Sequence, residues 1–280
     1  MPVKEETKKA LIVVRTYPTP AMKGVEVSCT AAISDGKWLR LHPIRYRYLS
    51  KEQRFQKYQW IEVKVTKTND GRPESYTPKN ETIKIVSEPL STSNGWQARK
   101  GILFPLRAHC LCCLVKERNE KGYPTLGLFR PKVIEGLSIK AGSPKWTQAQ
   151  LGILRQEHLF EKKPTEELEK IPFNFRYRFR CDHDTCTGHK LFCSDWEMGE
   201  SFRKWKADYG DNWESKFRLR WETEMIQKYD THFFVGTVAK YPATWIIVGV
   251  FYPPHSTLEM FDQEPQPFRS LAEQSEQRLG

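Results

Sequence analysis

The sequence predicts an α+β protein: a small N-terminal β-barrel of the OB or PUA kind, then a helix-and-hairpin region with a candidate zinc loop. Three observations carry this expectation. The first ninety residues hold about five short alternating strands separated by turn residues. FNFRYRFR, Phe173 to Arg180, alternates aromatic residues and arginines. The run CDHDTCTGHKLFC, Cys181 to Cys193, gathers three cysteines and two histidines into one loop.

The strands follow in order. ALIVVRTY, Ala10 to Tyr17, is apolar and β-branched and reads as a buried strand. VEVSCTAAI, Val25 to Ile33, is the second, and Asp35-Gly36 is a hairpin turn that returns the chain through KWLRL. In that return Trp38, Arg40 and His42 share one face and Leu39 and Leu41 the other, with Pro43 as the end. A short helix over 51–57 precedes the alternating YQWIEVKVTK, and TIKIV closes the set. The barrel domain is placed at 1–92.

A connector over 93–170 follows. Trp96 to Leu106 reads as a weak helix interrupted by proline. His109 to Arg118 and Thr125 to Phe129 read as a hairpin, and Trp146 to Phe160 has helical spacing. The third unit, 171–254, opens on FNFRYRFR and the cysteine loop. Trp196 to Tyr209 and Trp213 to Tyr229 read as helices. In the second, Trp213, Phe217, Trp221 and Met225 recur every fourth residue as one apolar stripe. A hairpin of 232–238 with 245–252 ends the unit. From residue 255 the sequence is acidic and proline-rich, a net of −3 from Ser256, and is expected to be mobile.

Composition narrows the function. The chain has 280 residues, 39% of them hydrophobic, with 9 Trp, 11 Tyr and 15 Phe, which excludes a disordered chain. No apolar run approaches the roughly 20 residues of a membrane-spanning helix, and the N-terminus lacks a signal-peptide pattern. A cytoplasmic protein with no membrane partner is therefore expected. In that compartment seven cysteines point away from a disulfide framework. Walker A, GxGxxG, GxSxG and HExxH motifs are missing, as are the paired motifs of zinc deaminases.

Cys181, Cys186, His189 and Cys193 have the spacing C-x4-C-x2-H-x3-C. They form a candidate tetrahedral zinc set, with Gly188 supplying turn freedom and His183 a spare ligand. Cys193 has a second reading as a small buried core residue, which would leave the fourth position open. AHCLCCL, Ala108 to Leu114, reads as a packed strand that can lend a distant ligand to the Cys181 cluster if the two segments meet. His189, Asp195 and Glu197 are candidate catalytic ligands for a divalent ion; equally, Asp195 can cap a helix whose first turn holds Glu197.

The formal net charge is +11, and nine basic residues face two acidic ones between Lys37 and Lys67. Such a block is the footprint of a polyanion partner. Trp38, Arg40, Arg45, Tyr46 and Arg47 are candidates to stack on bases and hold phosphates, and Arg176, Arg178 and Arg180 form a second stripe. In the competing reading Trp38 and Tyr46 are core residues and the arginines pair with acids.

WLRLHPIRYR, DGRPES, LGLFRPK and CSDWE together resemble a family of bacterial proteins of unassigned function, over most of the chain up to Pro254. The resemblance implies a bacterial, cytoplasmic setting and brings no activity to any residue. The expected function is nucleic-acid binding, DNA or RNA, with a structural zinc. The alternatives are a metal-dependent nuclease or hydrolase, and a protein-interaction subunit of a bacterial system.

Overall fold

A computed structural model describes residues 4–22, 25–155, 164 and 166–255. The expected acidic tail past residue 255 lies outside the described residues, as does the end of the helix expected over 146–160.

The N-terminal half is a closed five-stranded barrel. Strand β1 (Glu5–Arg15) pairs with β3 (Val25–Ser34), β3 with β4 (Lys37–Ile44), β4 with β6 (Ser75–Pro78), and β6 with β5 (Trp60–Lys67). β5 returns to β1 and closes the ring. Short strands β2 (Thr19–Ala21) and β7 (Lys84–Ile85) pair with β3 and β5 from outside it. The turn between β3 and β4 has positive φ at both Asp35 (52°) and Gly36 (68°), as a two-residue hairpin requires. Pro43 does not end β4, which runs on to Ile44.

Alternation sorts the barrel residues. Ala10, Ile12, Leu39, Leu41, Ile61, Val63 and Val65 form the barrel core. Leu11, Val13 and Val14 point outward, yet they are buried as well, against Phe234, Val248 and Phe251. They meet a sheet in the order β13-β12-β8, formed by β8 (Leu126–Phe129), β12 (His232–Thr237) and β13 (Trp245–Phe251). Covering β1 on both faces explains its unbroken ALIVV run.

The connector differs from expectation. His109 to Arg118 is no strand: α1 (Ser93–Leu103), left-handed at Asn94, Gly95 and Trp96, is followed by α2 (Leu111–Lys121). The Cys110 thiol caps α2 by accepting the Cys113 N–H at 3.1 Å, and Gly122 (φ +79°) ends it in the left-handed region. β8 accordingly pairs with β12, not with the His109 segment. A strand beyond those expected, β9 (Val133–Ala141), pairs with β10 (Phe173–Arg180) and places it between β9 and β11 (His189–Phe192). α3 (Gln148–Leu154) starts with a capping box at Thr147 and Gln150.

β10 behaves as its alternation predicts. Phe175, Tyr177 and Phe179 are buried, while Arg178 and Arg180 are exposed on the other face. The aromatic face packs on α4 (Trp196–Tyr209) and α5 (Trp213–Arg218), with Phe175 stacked 4.4 Å from Phe217. Trp213, Phe217, Trp221 and Met225 are all buried. The stripe continues through a π-helical turn (Leu219–Thr223) into α6 (Glu224–Gln227).

Gly199 brings α4 against Tyr17, just past the end of β1. A methyl group there would lie 2.4 Å from Tyr17 Cδ2. The Tyr17 ring is held by Trp196 (5.8 Å) and by its hydroxyl, which donates to the Glu169 carbonyl at 2.9 Å. Helix propensity favours alanine by about 1 kcal/mol, whereas overpacking costs about 1–3 kcal/mol. With ring carbons in the way overpacking wins. Gly199→Ala is expected to lose about 1–2 kcal/mol, seen as a lower urea midpoint at unchanged slope.

Candidate metal centre

Cys112, Cys181, Cys186 and His189 bring their ligand atoms within 4.8 Å of one another. Three come from the loop between β10 and β11, as expected. The fourth comes from the first turn of α2, on the far side of a long stretch of sequence. Cys112 Sγ lies 3.2 Å from His189 Nε2. Tetrahedral zinc bonds of about 2.3 Å to sulfur and 2.0–2.1 Å to nitrogen put neighbouring ligand atoms about 3.5–3.8 Å apart. The donor set and its spacing therefore fit a tetrahedral ion, and the group can hold a metal.

Local geometry brings the ligands together. Gly188 adopts φ +99° where the loop turns back into β11, the freedom expected of it. The Cys181 N–H donates to Cys186 Sγ at 3.2 Å, a bond that favours thiolate. For Cys186, desolvation acts upward but is outweighed by the Cys181 and Gly188 N–H groups, so its pKa falls below that of a free thiol. Burial, then the neighbouring Cys181 and Cys186, pushes Cys112 up. Burial holds His189 below the usual imidazole value, keeping it neutral as a ligand must be.

Cys193 is the correction. It is buried beside β13, its N–H donates to the Phe175 carbonyl at 2.9 Å, and burial pushes its thiol far up. Facing the core, it stands apart from the converging ligand atoms, and Cys112 takes the place assigned to it. The fourth position is thus filled rather than open. His183 lies outside the group, its Nδ1 bound to Thr185. His109 Nε2 meets the Asp182 carbonyl at 2.9 Å, and Cys110 and Cys113 lie 2.8 Å apart beside the centre.

His189, Asp195 and Glu197 are not assembled into one site. Among the described residues the only converging Cys, His, Asp and Glu group is the one above. Asp195 caps α4, accepting the Glu197 and Met198 N–H groups at 2.7 and 3.2 Å. Glu197 pairs with Lys57 at 3.3 Å.

The basic aromatic run WLRLHPIRYR is largely internal. Arg40 is 2% exposed, donates to the Thr125 carbonyl at 2.8 Å and sits 3.6 Å from Glu74. It is a buried strut between barrel and β8, not a surface phosphate contact. Trp38 packs edge-on to Phe234 at 6.1 Å. Tyr46 packs on Phe55 and Trp196. Arg47 neutralises the buried Glu26 at 3.0 Å. Arg45 is half-buried, its N–H on Asn80 Oδ1 at 3.0 Å. Arg176, Arg178 and Arg180 do share the outer face of β10, where Arg180 pairs with Glu135 at 2.8 Å.

No helix of the described residues is long and apolar enough to cross a membrane. No curated protein and no solved structure matches the chain. Two family models do, and they meet between α1 and α2. One, described as a domain of unknown function (DUF8758), matches residues 6–105, the barrel and α1. The other, described as a domain of unknown function (DUF8757), matches residues 107–270 and takes in all four ligands of the Cys/His centre. Since that second match covers more than half of its length, the chain belongs to the DUF8757 family, with a DUF8758 domain in front.

Proposed function

We propose that the protein binds nucleic acid through the outer face of the sheet β9-β10-β11, and that zinc in the Cys/His centre fixes the end of that sheet. The observation that supports this most is a row of cations across paired strands. Arg178 stands directly opposite Lys190, and Asn174 opposite Lys140, with Arg176 between them opposite Phe192 and Ser138. Residues directly paired in an antiparallel sheet share a face. Among the described residues none of Lys140, Arg176, Arg178 and Lys190 forms an ion pair. Like charges set opposite one another weaken a sheet, and a phosphate backbone lying across them removes that cost. Phe192, half-buried with Arg176 5.9 Å from its ring, offers a stacking surface in the same row.

The ion has a mechanical part in this reading. It ties α2 to the loop that joins β10 and β11, so the Arg178–Lys190 pair is held at a fixed spacing. A reducing, cytoplasmic setting keeps the three thiols available to it.

Anisotropy titrations of a labelled oligonucleotide over a series of salt concentrations test the proposal. Affinity is expected to fall linearly with salt on logarithmic axes. Arg178→Ala with Lys190→Ala is expected to reduce the slope by about 1.5, two contacts at roughly 0.7–0.9 each. A wild type that binds no oligonucleotide even at low salt sinks the reading and leaves a protein-interaction subunit.

A further inference from the structure

A cavity of about 300 Å³ opens where the barrel meets α4. Neither family domain builds it alone. Arg15, Lys57, Tyr58 and Trp96 come from the first, Trp196 and Glu197 from the second. Ligand sites favour such junctions, and the volume lies at the small end of their range.

Flat groups line this cavity. The Arg15 guanidinium lies 3.6 Å from the centroid of the Tyr46 ring and 4.0 Å from that of Trp196. Arg99 lies 4.0 Å from the Tyr58 ring and 4.6 Å from the Trp96 ring. Among the described residues neither guanidinium forms an ion pair, and Arg15 Nε is buried with no hydrogen-bond partner. Two of the aromatic residues are held in a conformation that costs energy: Tyr58 (φ +66°) and Trp96 (φ +65°) are both left-handed. Bulky residues persist there only where their surroundings over-determine them, a condition found at ligand clamps.

The polar groups set the ligand's character. Asp195 is occupied by backbone N–H groups, so it offers a ligand little. Glu197 uses Oε2 for Lys57 at 3.3 Å and for the Tyr252 hydroxyl at 3.4 Å. Its Oε1 makes no hydrogen bond among the described residues. Three cations thus face the cavity with one carboxylate oxygen left to accept. A cationic guest would meet Arg15, Lys57 and Arg99. A planar guest that carries negative charge, and one N–H edge for Glu197, meets complementary groups throughout.

We propose that this cavity binds one nucleotide unit, its base stacked among the aromatic rings, its N–H edge on Glu197 and its phosphate at Arg15. An unpaired nucleotide of a bound strand and a free mononucleotide share this chemistry. The first source rests on the nucleic-acid reading above and the second does not.

The experiment separates the two. A labelled hairpin with one bulged nucleotide is titrated beside the same hairpin with an abasic residue at the bulge. 5′-Mononucleotides are titrated separately by tryptophan fluorescence. Wild type is expected to prefer the bulged hairpin about tenfold, the scale of one base stacked on aromatic rings. Trp96→Ala is expected to abolish that preference. So is Glu197→Ala, which removes the acceptor for the base edge and serves where Trp96→Ala fails to fold. Quenching by mononucleotides without a preference between hairpins supports the cavity with a free nucleotide as its ligand. If neither hairpin binds but quenching occurs, the cavity stands and the nucleic-acid reading falls. Hairpins bound equally by wild type and variants, with no quenching, overturn the cavity proposal and leave the sheet face standing. No binding of any probe overturns both.

Discussion

Cys112→Ser is expected to purify without bound metal and to lose about 4 kcal/mol of stability. The argument is one of chain closure. Three ligands sit in the short loop between β10 and β11, and Cys112 alone reaches them from α2. A cross-link over a long loop restricts the unfolded chain, by about 3 kcal/mol for a short loop and about 4.7 kcal/mol for one of a hundred residues. The stretch from Cys112 to Cys181 lies between these limits. Loss of the ion leaves two buried or half-buried thiols, Cys181 and Cys186, and an imidazole without their shared partner, which adds to the cost. Cys193→Ser is the control. It sets a hydroxyl into the core beside β13 and is expected to cost about 1–3 kcal/mol, with metal content unchanged. Elemental analysis of both variants, followed by urea unfolding, decides the ligand set. Metal retained in Cys112→Ser and lost in Cys193→Ser would reverse the assignment.

That the sequence offers Cys112 only as one of several distant candidates in AHCLCCL, while it names its three companions outright, is a matter of range. Cys181, Cys186 and His189 are neighbours, so their spacing alone announces them. Cys112 joins the group only because the start of α2 meets the loop between β10 and β11, a contact that no local pattern encodes. Its helix was nonetheless readable. Arg118, Lys121, Gly122 and Pro124 form a helix stop of basic residues, glycine and proline, but the apolar C-L-C-C-L-V run resembles a strand. Arg40 differs from a surface phosphate contact for the opposite reason, and it stands near an acid, Glu74, as in the competing reading. Alternation correctly set it on the outer face of the barrel, but that face is covered by β8 and Thr125. Local pattern sorts residues into faces. Which faces meet water is decided by distant segments. Where one strand carries its own contrast, as FNFRYRFR does, pattern and structure agree from Tyr177 to Arg180, with Phe173 and Arg176 half-buried.

Asp195→Ala is expected to cost about 3–5 kcal/mol, because one carboxylate closes several contacts at once. Asp195 is 3% exposed. Its Oδ1 accepts the Glu197 and Met198 N–H groups that open α4, and its Oδ2 accepts the Val250 N–H of β13 at 3.1 Å. Lys57 stands 3.9 Å away, itself nearly buried. Truncation removes a helix cap worth about 1 kcal/mol, strands a buried donor at about 1–3 kcal/mol, and leaves Lys57 with Glu197 alone. Asp195→Asn keeps one acceptor oxygen and is expected to cost about half as much. The two variants also differ from wild type in their dependence on pH. Burial raises the Asp195 carboxyl to about 6, against the opposing pull of Lys57 and the backbone N–H groups. The folded state therefore holds this proton more tightly than the unfolded chain. Its contribution is complete below pH 4 and is lost as pH rises towards 6, about 3 kcal/mol in all. Removing the Lys57 charge relaxes the opposing pull, so Lys57→Met moves that loss to higher pH. Urea unfolding of wild type and Asp195→Asn from pH 4 to 8 isolates the effect, since every other titrating group is common to both. Two curves that stay parallel would show that Asp195 is already ionised at pH 4, and that its N–H bonds outweigh its burial.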